Sequence, residues 1–133
     1  MIRFLLDTDM CIDIIRKRNP AVLSRLEASK VGEVGISTIT FAELTHGVEK
    51  SAKPDQNRLA LYEFCTPLQV VPFNDMAALA YGRIRAQLER LGKLIGPMDL
   101  LIAAHALALD SVLVTGNLRE FRRIPELELE SWL

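Results

Sequence analysis

Arg3-Phe4-Leu5-Leu6-Asp7-Thr8-Asp9 is the stretch on which the reading of the fold turns. A short apolar run is broken abruptly by a carboxylate, a hydroxyl and a second carboxylate. Apolar runs without polar alternation mark strands buried on both faces, as in parallel sheets. Asp7 then falls where the strand leaves the core, and the carboxyl edge of an open α/β sheet is where ligands and chemistry gather. Asp7 fits equally well as the cap of a helix opening near Asp9. Further carboxylates at comparable places are what separate the two readings.

Outward from this stretch, strands and helices alternate. Met10-Cys11-Ile12 and Ile14-Ile15 put apolar side chains on one helical face, which ends in Arg16-Lys17-Arg18. Asn19-Pro20 stops that helix and opens another through Leu23 and Leu26. Val34-Gly35-Ile36-Ser37 reads as a second strand, followed by a helix from about Ile39 to Lys50 and another that begins at Pro54. Leu68-Gln69-Val70-Val71 reads as a third strand. An amphipathic helix follows, with Ala77, Tyr81, Ile84, Leu88 and Leu91 at three- and four-residue spacing. Met98 to Leu109 forms a helix apolar nearly all round, expected to pack deep against the sheet. Val112-Leu113-Val114-Thr115 is a fourth strand, and the alternating Leu127-Glu128-Leu129-Glu130 reads as an exposed edge strand. Strands separated by helices predict a single α/β domain over residues 1–133, a three-layer sandwich whose mostly parallel, twisted sheet of four to five strands is flanked by helices. Two helices separate strands two and three, and two more separate three and four, so one of each pair crosses or projects from the sheet.

The chain has 133 residues, 50% apolar and 25% charged, with a formal net charge of −1. That balance is ordinary for a globular domain and advertises no nucleic-acid binding, which would need a local basic patch. Cys11 and Cys65 lack C-x-x-C spacing and read as buried free thiols of a reducing, cytoplasmic protein rather than a disulfide or zinc site. No apolar run approaches a membrane span, and no signal-peptide pattern opens the chain.

Two further acids stand at strand-to-helix junctions. Glu43 follows the second strand, although Thr40-x-x-Glu43 also matches a capping box. Asp99 follows Gly96-Pro97-Met98, in a first helical turn where the helix dipole favours an anion. Beside the apolar Leu100-Leu101-Ile102 it is a lone charge in want of a partner. Thr115-Gly116-Asn117 closes the fourth strand with a hydroxyl and an amide, or is an ordinary turn. Hard oxygen ligands gathered at one edge suit Mg²⁺ or Mn²⁺, and a cation would relieve their mutual repulsion. His46 and His105 form no metal-binding pair and read as structural. Arg16, Lys17, Arg18, Arg83, Arg85, Arg90, Lys93, Arg119, Arg122 and Arg123 are solvated faces unless several flank the acidic edge, where they become phosphate contacts.

Taken together these residues resemble the PIN-domain ribonucleases, and among them the VapC toxins of bacterial toxin–antitoxin modules. The resemblance spans essentially the whole chain and rests on four pieces in order. They are Leu6-Asp7-Thr8 before the Cys11-Ile12 helix, Ser37-x-x-Thr40-x-x-Glu43-Leu44-x-x-Gly47, Gly96-x-x-Asp99-x-x-Ile102-Ala103, and Val114-Thr115-x-Asn117-x-x-Glu120-Phe121. It implies Mg²⁺- or Mn²⁺-dependent endonucleolytic cleavage of RNA, with tRNA the favoured substrate class. Asp7, Glu43 and Asp99 are the implied catalytic acids and metal ligands, with Asn117 beside them. Thr8, Arg85, Lys93 and Thr115 are the expected substrate contacts. The resemblance also implies a homodimer inhibited by a cognate VapB-type antitoxin.

Two positions depart from the family pattern. Many PIN domains carry an acid where this chain has Asn117, and Asp9 stands where the family often has Asn. An amide at 117 suggests weaker or water-mediated coordination of a second metal, and Asp9 is read as a helix cap. Two other classes stay open: a PIN-like binding domain without chemistry, and an aspartyl-phosphate phosphatase with Asp7 as nucleophile. The latter would want Thr or Val at position 11 and paired acids downstream, and the chain has neither.

Overall fold

The computed structural model describes residues 1–133. Five short strands form one sheet: β1 (Phe4–Leu6), β2 (Val34–Ser37), β3 (Gln69–Val71), β4 (Val112–Val114) and β5 (Leu129–Glu130). Their order is β3-β2-β1-β4-β5, and all four pairings are parallel. The expected mostly parallel sheet is thus parallel throughout. The central place belongs to β1, paired with β2 on one side and β4 on the other.

Central position explains the unbroken apolar run. Side chains alternate across a strand, so Phe4 and Leu6 enter one buried cluster while Leu5 enters the other. In β4 the same division recurs, with Val114 on the side of Leu6 and Leu113 opposite. Register matches the faces, since Leu5 pairs with Leu113 and Leu6 with Val114. Gly35 in β2 is required by close approach: a Cβ there would stand 2.9 Å from the carbonyl oxygen of Gln69 on β3.

The helices settle the crossing left open by the sequence. Helices α1 (Thr8–Ile15), α2 (Pro20–Ala28) and α4 (Pro54–Cys65) cover the Phe4/Leu6 face through Met10, Cys11, Ile14, Val22 and Leu61. Helices α5 (Asp75–Leu91) and α6 (Pro97–Leu109) cover the other through Ile84, Leu88, Leu100 and Ile102. Helix α3 (Thr38–Glu49) lends Leu44 to the first cluster and packs Ile39 against the second. Helix α6 lies deep, as its all-round apolar sequence requires, with Leu100, Ile102, Ala103, Ala104, His105 and Ala106 buried. Gly92 ends α5 at φ 66°, the left-handed cap conformation that glycine adopts without strain.

Three local features differ from expectation. A four-residue helix, α7 (Leu118–Phe121), follows β4 where only a turn was read. The edge strand β5 is half-buried, not fully exposed, because Leu127 ahead of it is buried and Trp132 behind it meets Phe4 edge-on at 5.5 Å. Arg25 lies over both of those rings and pairs with Glu130 at 2.9 Å, which ties the tail to α2. Cys65 is only half-buried, though both thiols are free as expected. Burial pushes the Cys11 thiol well above its ordinary range, with Asp7 and Cys65 adding to the effect. No helix is long and apolar enough to cross a membrane.

Candidate active site

Asp7 is both things its sequence allowed. Its backbone N–H still donates to Val114 in the ladder, so the residue is the last one held by the sheet. Its Oδ1 caps α1 by accepting from the Met10 N–H at 2.8 Å, and its Oδ2 accepts from the Thr115 hydroxyl at 2.5 Å. The carboxyl is 3% exposed. Burial pushes its pKa up to about 6, against the lowering effect of those two hydrogen bonds, and repulsion from Asp9 and Glu43 adds to the rise. The cap of α1 is therefore Asp7 and not Asp9, which corrects the expectation for Asp9. Asp9 is exposed in the first turn of α1 and acts on both Asp7 and Asp99 as a neighbouring charge.

Glu43 lies on α3, whose cap is Ser37 through the Ile39 N–H at 3.0 Å. The capping-box alternative for Glu43 is thereby removed, since the helix starts two residues before Thr40. Glu43 accepts instead from the Thr8 hydroxyl at 2.5 Å, and Thr8 also lies 3.3 Å from the Thr40 hydroxyl. Asp99 occupies the first turn of α6, after Gly96 and Pro97. Its pKa is pushed up to about 7 by burial first, then by a proton shared with Glu120 and by the charges of Glu120, Asp7 and Asp9.

Glu120 has no role in the sequence reading, although it stands in the fourth quoted motif, just before Phe121. Its Oε1 accepts from the Gly96 N–H at 3.2 Å, and its Oε2 accepts from the Asn117 side-chain amide at 2.8 Å. Asn117 is the N-cap of α7, its oxygen accepting from the Glu120 N–H at 3.4 Å. The amide at 117 therefore reaches the acidic cluster through Glu120, and Glu120 is the fourth carboxylate. An asparagine cap with an acid three residues on is the pattern that would have announced it.

The expected substrate contacts fare unevenly. Thr115 is fully buried, and its hydroxyl donates to Asp7 while accepting from the Asn117 N–H at 2.9 Å. It orients an acid and cannot touch substrate, which corrects that expectation. Thr8 is half-buried and engaged with Glu43. Arg85 is exposed on α5, donating to the Tyr81 hydroxyl at 2.7 Å and lying 3.7 Å from Glu89, which places it in a local surface cluster and not among the acids. Lys93 is exposed on the loop that leads into α6. Arg119 and Arg123 border a shallow cleft with Gly96, Asn117 and Glu120. Thr8, Asp9 and Glu43 open into a groove of about 610 Å³ between α1, α3 and α4, rimmed by Arg16 and Lys50.

Residues 4–127 match the PIN domain family. Ribonuclease VapC2 of Rickettsia felis is 42% identical over 130 residues, covering 97% of each chain. The chain belongs to the PIN-domain family, among its VapC ribonucleases. The tRNA(fMet)-specific endonuclease VapC of Salmonella typhimurium is 40% identical over 132 residues, covering 99% of each chain. Two solved VapC-containing structures superpose over all of both chains. They are the DNA-bound VapBC from Salmonella typhimurium, with a TM-score of 0.95 at 40% identity, and the promoter-DNA-bound VapBC2 from Rickettsia felis, with a TM-score of 0.94 at 41%. Membership in this PIN branch sets aside the aspartyl-phosphate phosphatase reading.

PIN-domain nucleases generally depend on a divalent metal, and the donor set here suits one. Asp7, Glu43, Asp99 and Glu120 offer only hard carboxylate oxygens, which magnesium and manganese prefer. Asp7 and Asp99 hold protons more tightly than ordinary carboxyls because burial and repulsion from neighbouring acids oppose their charges. A divalent cation relieves both causes. No three acids converge as a finished ligand group; Glu43 is turned toward Thr8 and Glu120 toward Gly96 and Asn117. Asp7 and Asp99 would hold the cation, and Glu43 and Glu120 would join them only by turning from their present partners.

Proposed function

We propose that this chain is the toxin of a type II toxin–antitoxin pair. It cuts RNA endonucleolytically with Mg²⁺ or Mn²⁺ at a centre formed by Asp7, Glu43, Asp99 and Glu120. The observation that carries the reading is that Asp99 is hindered in ionising by Glu120 and by Asp7, 92 positions away in sequence, so that acids from the end of β1, from α6 and from α7 act on one another at one edge of the sheet. Transfer RNA is the favoured substrate, in keeping with the activity named for the Salmonella relative. A VapB-type antitoxin is the proposed inhibitor, a homodimer the proposed assembly, residues 1–133 one domain, and the cytoplasm the place of action.

When bound, a divalent cation lowers the pKa of a water and neutralises phosphate charge during displacement at phosphorus. Asp7 supplies a fixed carboxylate, because Met10 and Thr115 together leave its rotamer no freedom. Asp99 in the metal-free protein holds or releases a proton near neutral pH, where such exchange is most useful. Glu43 and Glu120 flank them from α3 and α7. Arg119, Arg123 and Lys93 contribute positive charge for the phosphate backbone.

The test is incubation of purified protein with tRNA and Mg²⁺, with Mn²⁺, and with chelator. Cleavage is expected with metal, none after chelation, and none from Asp99→Asn in either metal. Undiminished cleavage by Asp99→Asn overturns the proposed centre.

A further inference from the structure

His105 is the one buried side chain with a polar atom left unpartnered. It lies on α6, six residues beyond Asp99, and is 1% exposed. Its Nδ1 is 2.8 Å from the Ser37 hydroxyl, and the Phe73 ring stands edge-on to it at 5.4 Å. Its Nε2 contacts no polar group. Ser37 is the N-cap of α3, the helix that carries Glu43.

The proton arrangement follows from counting partners. The Ser37 oxygen already accepts from the Ile39 N–H at 3.0 Å. If Nδ1 is unprotonated, the Ser37 hydroxyl donates to it, and Nε2–H is the only orphan. If Nδ1 carries the proton, Ser37 accepts twice, and both its own hydrogen and the Nε2 lone pair are left without partners. The first arrangement leaves fewer buried groups unsatisfied and is therefore favoured. Burial also lowers the imidazole pKa, which keeps the ring neutral. Even so, one nitrogen remains buried without a partner, a penalty that phenylalanine or leucine at the same place would avoid.

We propose that His105 is a positioning residue, whose hydrogen bond to Ser37 fixes the start of α3 against α6 and so sets the placement of Glu43 relative to Asp99. Another hydrogen bond holds the same end of α3, where the Phe73 N–H donates to the Thr38 hydroxyl at 3.1 Å, and Thr8 donates to Glu43 midway along the helix. The link through His105 joins α6, which bears Asp99, to the residue that ends β2 and caps α3, the helix that bears Glu43. A small error in placing reacting groups lowers rate steeply, by up to about a hundredfold per ångström. The proposal rests on Glu43 and Asp99 acting at one centre.

Two measurements test it. Nitrogen-15 NMR of the metal-free wild-type protein is expected to show Nδ1 unprotonated and Nε2 protonated; the reverse tautomer overturns the arrangement without reference to activity. His105→Phe is expected to keep or raise Tm and to lower kcat about tenfold to a hundredfold with KM within about twofold. In the metal-free state it is also expected to speed amide exchange in the first turn of α3. His105→Asn, whose amide can occupy the place of Nδ1, is expected to recover most of the lost rate. Full activity in His105→Phe, or equal losses in the Phe and Asn variants, overturns the positioning role. Should Glu43→Gln cleave like wild type, the acidic centre itself is wrong, and the NMR result still stands or falls on its own.

Discussion

A buried carboxyl with a raised pKa is a liability to the fold and an asset to the site. Asp7 titrates near 6 when folded but in the ordinary carboxylate range when unfolded, so the native state binds its proton more tightly. Below about pH 4 both states are protonated and nothing is lost; the penalty grows as pH rises and is complete above about pH 6. Fully developed, it amounts to about 3 kcal/mol. Asp99 pulls the same way, with a smaller effect because it is half-exposed. Asp7→Asn is therefore expected to abolish cleavage while raising Tm of the metal-free protein at pH 7.5. The gain over wild type should vanish by about pH 4, since the Thr115 hydroxyl can turn to accept from the new amide. Thermal melts of both proteins across pH without metal check this, and a variant less stable at every pH would contradict it. Divalent metal should flatten the wild-type curve.

Among the elements, those with a clear periodic or apolar pattern were legible in the chain. β2 is found over Val34–Ser37 as read, and α6 begins one residue early, at Pro97. Helix α7 was not legible because four residues are too few to show a helical period. Asp7 and Asp99 could be picked out because one follows a strand and the other opens a helix, whereas Glu43 lies midway along α3 and not at the strand-to-helix junction expected of it. The work of Thr8 and Thr115 could not be picked out, because their hydrogen bonds reach Glu43 and Asp7 across 35 and 108 residues. Asn117, by contrast, acts locally: it holds Glu120 three residues on and caps α7, a pattern obscured in the sequence by its likeness to an ordinary turn. Asn117→Asp is accordingly expected to keep the cap, lose the amide donor, and set a like charge beside Glu120. Metal-free stability should fall by no more than about 1 kcal/mol, given the exposure of the pair. Mn²⁺ affinity should gain little or nothing. Urea unfolding and calorimetric titration measure the two effects, and a marked tightening for Mn²⁺ would put residue 117 in the metal shell after all.

Across the whole molecule, charge is nearly balanced, so attraction for RNA has to be local. Arg119 and Arg123 border the cleft beside Gly96 and Glu120, and Lys93 is exposed on the loop that leads into it. Lys93→Glu and Arg119→Glu are each expected to weaken RNA binding and to flatten its dependence on salt, by roughly one released counterion for each phosphate no longer held. Thermal stability should change by no more than about 0.5 kcal/mol. Titrations at several salt concentrations decide the matter, and an unchanged slope removes that residue from the interface. The sheet order has another consequence, for the chain as it is being made. Its first strand is central and pairs with residues 112–114, while its first acid is held by Thr115 and faces a cluster completed only at Glu120. About nine-tenths of the protein must leave the ribosome before the centre can assemble, and strand pairings so distant in sequence form late. A chain interrupted before α7 lacks Glu120, and with it the proposed centre, so it is expected to cut no RNA.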